Sequence, residues 1–296
     1  MLLGVLGLVA GRLGVLWISF DVFAQFTLQF LAVTLSFLIG YFMPRARVLA
    51  AITLLILCLV AIGIWPQVQS RSTAAAASPK ERSLRVMSFN TRLASQNGEA
   101  VAEEILRDAP DIAILIEFGE HKRGALEKLK ASYPYQADCL AAPECYMAIV
   151  AKAPMSNVES RTGWEGPPLI RATLGPESGN VTVIGVHTIR FPHQRAQLRQ
   201  INALTRYLDD MEGPVILAGD FNATPFSRLL NTFAERSRMT RLTYYPTWPA
   251  WLRLPQLAID HVFIGRGMRE TETPRIGGNA GSDHYPVIAE VAVSPP

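Results

Sequence analysis

From residue 84 onward, the chain alternates short apolar runs with stretches whose apolar positions recur at helical spacing. The runs at 84–89, 112–116, 147–150, 181–186, 215–218, 261–264 and 287–293 predict strands, being short and rich in aliphatic and β-branched side chains. The segments 99–107, 124–131 and 194–210 predict helices. This is the pattern of a mixed α/β domain of about 210 residues, large enough for a substantial core. No internal repeat is visible.

The amino-terminal pattern is different. Residues 23–43 and 48–65 are free of charge, and residues 1–20 are similar except for Arg12. Each stretch is near the ~20 residues that cross a bilayer core as helix. The expectation is a transmembrane region with about three helices over 1–66, a flexible linker over 67–83 and a folded domain over 84–296. Arg12 leaves the first stretch open between a span and a cleaved leader. The basic loop Pro44-Arg45-Ala46-Arg47 places that turn in the cytoplasm. The expected location is therefore the cell membrane, multi-pass, with the bilayer as a partner and an extracytoplasmic (periplasmic) catalytic domain. Arg71, Lys80 and Arg82, just past the last apolar run, weigh mildly against that orientation.

Charge narrows the function classes. Residues 1–80 hold five basic residues and one acidic residue, Asp21, for a charge of +4. The whole chain is +3, so residues 81–296 carry −1. A nearly neutral domain is not built for strong non-specific contact with nucleic acid phosphates. Of the three cysteines, Cys58 lies in an apolar run; Cys139 and Cys145 frame a loop, where a small disulfide and two free thiols both remain open. No nearby His or second Cys pair completes a zinc site.

Polar residues recur where the predicted strands end, the position at which open sheets place their sites. Asn90, Glu117, His187, then Asp220 and Asn222, then Asp260, occupy five such ends, and Ser282-Asp283-His284 precedes the last strand. Carboxylate, amide and imidazole groups in that company suit metal-assisted hydrolysis of a phosphoester. The pieces Ser88-Phe89-Asn90-Thr91, Pro110-Asp111 through Glu117, Val186-His187-Thr188, Gly219-Asp220-Phe221-Asn222, Ile259-Asp260-His261 and Ser282-Asp283-His284 carry a resemblance. The chain resembles the endonuclease/exonuclease/phosphatase superfamily, the divalent-metal phosphohydrolases that include DNase I-like nucleases, sphingomyelinases and inositol phosphatases.

The resemblance implies a four-layered α/β sandwich (DNase I-like), with two sheets packed between helices. It implies Mg²⁺, or Mn²⁺ in its place, held by Glu117 with Asn90 beside it; hard oxygen ligands and few protein carboxylates suit that ion. Asp220 would orient or deprotonate the attacking water, and Asn222 would donate to the phosphate. His187 and His284 would flank the phosphate and stabilise transition-state charge. Asp260 and Asp283 would orient those imidazoles, with the pairing left open.

Two positions depart from the resemblance. Arg92 stands where some members carry a second acid, which favours one metal over two. Tyr146 stands where many have Gly, ahead of a strand that still ends in a basic residue, Lys152. His121 and His193 sit in polar surroundings and suit a surface, and His261 suits a wall or core position. The aromatic, Pro-rich segment 244–255 precedes the Asp260 strand; Trp248 and Trp251 either face the substrate or pack on their own loop. The expected function is a membrane-anchored metal-dependent phosphoesterase acting on a lipid-linked, nucleotide or nucleic acid phosphoester. The rival is a non-catalytic binding or sensing module that retains the fold. Retention of Glu117, Asp220 and His284 favours the enzyme.

Overall fold

The computed structural model describes residues 2–39, 47–68, 75–78, 81–253 and 256–294. The basic loop at 44–46, much of the expected linker and residues 254–255 of the aromatic segment lie outside the described residues. The amino-terminal segment contains α1 (Leu2–Arg12), the short α2 (Asp21–Ala24), α3 (Thr27–Ile39) and α4 (Arg47–Val68).

The expectation of a multi-pass cell-membrane protein with an extracytoplasmic (periplasmic) catalytic domain is corrected here. Among the described residues no single helix is long and apolar enough to cross a membrane. Two features break the long apolar runs. The first helix stops at Arg12, after 11 residues, or about 16 Å against the ~30 Å of a bilayer core. The second run contains a 56° bend between the helical stretches 18–24 and 27–36, which only together reach a spanning length and composition. Arg12 turns inward and donates to the Val60 carbonyl at 3.3 Å. Gly4 and Gly7 let α1 lie close on α3: a Cβ on Gly7 would stand 2.6 Å from the Phe30 ring.

The body is a two-sheet α/β sandwich. Its elements run β1 (Arg82–Asn90), α5 (Gly98–Asp108), β2 (Ile112–Ile116), α6 (Arg123–Leu129), β3 (Tyr135–Asp138), β4 (Met147–Ala151), β5 (Met155–Arg161) and β6 (Leu169–Leu174). They continue with β7 (Thr182–His187), α7 (Gln194–Asp209), β8 (Val215–Asp220), α8 (Arg228–Ser237), β9 (Thr240–Arg241), β10 (Asp260–Ile264), β11 (Met268–Ile276) and β12 (Val287–Val293). One sheet has the order β11-β12-β1-β2-β4-β3 and the other β5-β6-β7-β8-β10-β9. Apolar side chains on the inner faces, among them Val86, Ile114, Ile149, Ile170, Val183, Ile216 and Val262, form one core between the sheets. Met87, Phe89 and Leu115 face α5 and α6 on one outer side. Ile184, Leu217 and Phe263 face α7 and α8 on the other. The order is therefore helix, sheet, sheet, helix.

All seven expected strands and three expected helices are present, within a residue or two. Patterning left out the edge strands β3, β5, β9 and β11 and one interior strand, β6, whose apolar run is interrupted by Arg171. Strand β5 (MSNVESR) and β11 (MRETETPRI) are largely exposed or charged, so no apolar period marks them. Each sheet contains one parallel pair, β1 with β2 and β7 with β8. Parallel pairing brings the strand ends level: Asn90 pairs with Ile116, and His187 with Asp220. Antiparallel β10 then sets Asp260 opposite Asp220.

Cys139 and Cys145 are joined in a disulfide that closes the loop between β3 and β4. The amino-terminal helices rest on the body through buried polar contacts. Asp21, fully buried, accepts from the Ser227 hydroxyl at 2.6 Å and the Arg228 amide at 2.7 Å. That makes its carboxylate a cap for the first turn of α8, supplied from a distant part of the chain. Gln25 accepts from the Thr224 amide at 2.6 Å. Phe26 meets Phe191 edge-on, and Arg195 lies over Trp17.

Candidate functional site

Strand ends from both sheets meet in a cleft of 610 Å³ whose lining includes Glu117, His187, Asp220, Asn222, Trp248, Asp283 and His284. How closely the strands approach there is clearest at Gly219. Its φ is +150°, and a Cβ would sit 1.9 Å from the Val186 carbonyl, so only glycine lets β8 run this close to β7. Glu117 and Asn222 follow their strands with φ of +53° and +46°. Such left-handed backbone at non-glycine residues is uncommon and needs outside support.

Part of that support comes from Lys122. Its buried ammonium donates to the carbonyls of Thr91 at 2.8 Å, Arg92 at 2.7 Å and Glu117 at 3.2 Å. It thereby ties together two residues with positive φ, Arg92 and Glu117. Burial lowers the Lys122 pKa to about 8, against the opposing pull of Glu117 and Asp283.

The carboxylates are bridged by an amide. Asn90 Nδ2 lies 3.2 Å from Glu117 Oε1 and 3.0 Å from Asp220 Oδ2, while Asn90 Oδ1 accepts from the Arg92 amide at 2.9 Å. The remaining Glu117 oxygen accepts from the Leu93 amide at 2.8 Å. Burial raises the Glu117 pKa, but His187, the Leu93 amide and Asn90 outweigh it, so the net direction is downward and the group is ionised. Asp220 accepts from the Asn222 amide at 2.8 Å. Its pKa is pushed up, first by burial and then by the charge of Asp260.

His187 Nε2 stands 3.6 Å from Glu117 and 3.8 Å from Asp220. His284 Nδ1 is 2.8 Å from Asp260, and the other ring nitrogen is 3.9 Å from Asp220. Asp260 also accepts from the Thr247 hydroxyl at 2.5 Å. Burial would lower the His284 pKa; the charges of Asp260, Asp220 and Asp283 outweigh it and raise the pKa to about 9. His284 is thus held protonated at neutral pH, with its free N–H facing the cleft carboxylate. The Ser282 hydroxyl donates to the Asn90 carbonyl at 2.7 Å and accepts from the His284 amide at 3.1 Å, fixing the last loop to the first strand.

The structure brings Asn90, Glu117, His187, Asp220, Asp260 and His284 into one cluster. Asn222 lies at its edge, donating to the Thr188 carbonyl at 2.9 Å. Asp283 lines the cleft and accepts from the Trp248 indole at 3.4 Å; its described contacts include no bond to an imidazole. Trp248 therefore faces the cleft, whereas Trp251 is 69% exposed. Arg92 does not line the cleft, but Arg190 does. His121 and His193 are exposed. His261 is buried against Phe221 and Phe263, bonds to the Ala223 carbonyl at 2.8 Å, and is kept neutral by burial, with its pKa lowered to about 3. Tyr146 has φ of +46°, the conformation that makes glycine the easier residue there. Sequence reasoning missed Lys122, Thr247 and Arg190. Lys122 gives no sequence signal, since its partners are carbonyls from distant segments. Thr247 was inside the noted aromatic segment but unremarked.

Oxygens of Glu117 and Asp220 with the free nitrogen of His187 lie within 4.8 Å of one another, as do ligand atoms of Asp220, Asp260 and His284. The first group suits a hard divalent cation. Two carboxylate oxygens lie on either side of an amide donor, with the His187 Nε2 3.6 Å from Glu117. The second group is already closed by the Asp260–His284 hydrogen bond.

Solved structures with the same fold are similar over the body. An endonuclease/exonuclease/phosphatase from Bacteroides vulgatus is 17% identical with a TM-score of 0.61, covering 72% of this chain and 100% of that one. Sphingomyelinase C from Streptomyces griseocarneus is 18% identical with a TM-score of 0.56, covering 72% of this chain and 99% of that one. A mutant beta toxin from Staphylococcus aureus with bound magnesium ions is 16% identical with a TM-score of 0.54, covering 72% of this chain and 100% of that one. No curated protein matches the chain. The family pattern itself matches residues 87–284, from the first strand to His284 and over more than half of the sequence, and the chain belongs to the Endonuclease/Exonuclease/phosphatase family.

Proposed function

We infer that the chain is a divalent-metal-dependent phosphoesterase that uses water as nucleophile. The observation that carries this reading is the joint placement of Glu117, Asp220 and His187 beside the Asp260–His284 pair in one cleft. The family name joins nucleases and phosphatases, and a similar structure holds magnesium ions.

In this reading Glu117 would hold Mg²⁺ with Asn90 beside it, and the Asn90 amide keeps Asp220 at its spacing from that carboxylate. Bound there, the ion would polarise a phosphoryl oxygen and offset its charge. Asp220, raised in pKa and facing the cleft, orients the water and takes its proton. His284 is fixed through Nδ1 by Asp260, so its other N–H points at the phosphoryl group and stabilises the charge that grows there. His187 gives a second donor from the facing side, and Arg190 an exposed cation at the rim. Asn222 has one amide hydrogen committed to Thr188 and one left for the phosphate. Asp283 acts on the site through Trp248 and its charge on His284, as a positioning group.

The test is hydrolysis of bis-p-nitrophenyl phosphate by the full chain with MgCl₂ or MnCl₂, with and without EDTA. The expected outcome is metal-dependent release of nitrophenolate that Glu117→Gln abolishes. Turnover indifferent to EDTA and to Glu117→Gln would remove the metal assignment.

A further inference from the structure

A second cavity, of 270 Å³, lies between the amino-terminal helices and the body, separate from the cleft. Its apolar wall includes Leu28, Phe226, Tyr244, Tyr245, Pro246 and Ala258. Among the described residues no lining residue is charged. An ionic head placed there would lose water without gaining a counter-charge, so anions and cations are disfavoured. The wall is not wholly apolar, however. Thr224 lines it and is 2% exposed, and among the described residues its hydroxyl has no hydrogen-bond partner. The side-chain oxygen of Gln29, also on the lining, is buried and equally unpartnered there, while its nitrogen donates to the Gln256 carbonyl at 3.1 Å. Buried polar atoms are nearly always paired, so two orphans on one apolar cavity mark places where a ligand atom completes the bonding.

We propose that this cavity is a binding site for a neutral amphiphile, an apolar chain carrying one hydroxyl, ester or amide group that meets Thr224 and Gln29. The volume of 270 Å³ holds about nine non-hydrogen atoms at ~30 Å³ each, which suits a medium-length chain. Leu28 and Tyr245 are 44% and 43% exposed, so one end of the cavity is open to entry.

The cavity and the cleft are lined by adjacent stretches of chain. Asn222 and Ile259 line the cleft, whereas Thr224 and Ala258, two residues after the first and one before the second, line the cavity. Gln25 reinforces the link: it lines the cavity and accepts from the Thr224 amide at 2.6 Å. A ligand that fills the cavity bears on the segment that sets Asn222.

The same chemistry has two sources, a separate neutral amphiphile or the apolar tail of the phosphoester itself. The probe is n-octanol, titrated calorimetrically into the full chain, wild type and Leu28→Trp, whose added ring fills the open end. The proposal expects saturable binding near one per chain, lost in Leu28→Trp, and weakened about tenfold in Thr224→Val, which keeps the volume and removes the hydroxyl. No saturable binding to wild type, or equal binding to wild type and Leu28→Trp, overturns it. These readouts need no turnover, so they stand or fall apart from the phosphoesterase reading. Kinetics then separate the sources. For a substrate tail, Leu28→Trp raises KM for octyl p-nitrophenyl phosphate and leaves bis-p-nitrophenyl phosphate unchanged. For a separate amphiphile, n-octanol changes kcat for bis-p-nitrophenyl phosphate in wild type and not in Leu28→Trp.

Discussion

The amino-terminal segment and the α/β body arrange polarity in opposite ways. In the body, β2 and β4 are buried along their whole length by apolar side chains, and the acids Asp220 and Asp260 are buried where the strands reach the cleft. In the amino-terminal segment, Leu3, Leu16 and Ile62 are 79%, 81% and 70% exposed, while Asp21, Gln25 and Thr34 are buried to 1% or less. Hydropathy thus describes the body's interior but only the outer surface of the amino-terminal segment. What joins the segment to the body includes its few polar side chains, beside the aromatic contacts of Phe26 and Trp17. Asp21, the single acid in the first 80 residues, is spent as the cap of α8. Burial raises its pKa even though Ser227 and Arg228 stabilise the charge. The lesson is that a rare polar residue inside an apolar run deserves reading as a contact.

The sharpest test of the contrast is the body's buried acid against the segment's. Asp260→Asn keeps size but removes the charge that orients and protonates His284. It should lower kcat by about 10³-fold or more while leaving the fold intact, by analogy with a triad carboxylate. A loss under tenfold would end the assignment of His284 as a fixed donor. Asp21→Ala should instead act on stability. Loss of a buried, doubly bonded cap costs about 2–3 kcal/mol, read as a lower urea midpoint, with a several-fold drop in kcat because the 222–228 segment loosens. A midpoint equal to wild type would mean that the segment does not brace the body.

Acidity sharpens the comparison further. The His284 pKa is raised to about 9 in the folded state, above its ordinary 6.5. Its contribution to stability is therefore fully present below pH 6.5 and lost as pH rises through about 9. Urea midpoints between pH 6 and pH 10 should fall across that window in wild type and stay flatter in His284→Gln; parallel curves would contradict the pairing with Asp260. The smallest effect on activity is expected at the α1–α3 contact. Gly7→Leu would drive a side chain into Phe30 and cost about 1–3 kcal/mol of local packing. Proteolysis within the amino-terminal segment should speed up, with kcat inside twofold of wild type. A large fall in kcat would show that α1 and the cleft are coupled after all.

Much of the body could be read from the chain. Its buried strands leave apolar runs, and the runs of β1, β2, β7 and β8 lead to polar residues that the two parallel registers bring level. Strands β5 and β11 escaped because solvent-facing or charged edges carry no apolar period. Helix α8 (Arg228–Ser237) escaped as well: Ser227 stands at its N-cap position, but its hydroxyl is turned to Asp21, and it is Asp21, from far away, that caps the first turn. In the amino-terminal segment the reading of spans failed for a related reason: the break near Arg12 and the bend before α3 are set by packing and polar contacts that hydropathy averaging smooths over.

At the site, residue types and their order were legible, because metal-assisted phosphoester chemistry needs carboxylates, an amide and imidazoles at strand ends. Their pairing was not. That Asp260 serves His284, that Asp283 meets Trp248, and that Lys122 pins the Arg92 and Glu117 carbonyls all depend on segments far apart in sequence. By itself the sequence determined the α/β class, the strand ends that carry chemistry and the family. The tertiary structure alone decided which imidazole meets which carboxylate, which carboxylates lie side by side and where the amino-terminal helices dock. Local pattern reports which face of an element is buried; only the packing of distant elements sets distances of a few ångströms between side chains, and those distances govern charge, acidity and catalysis.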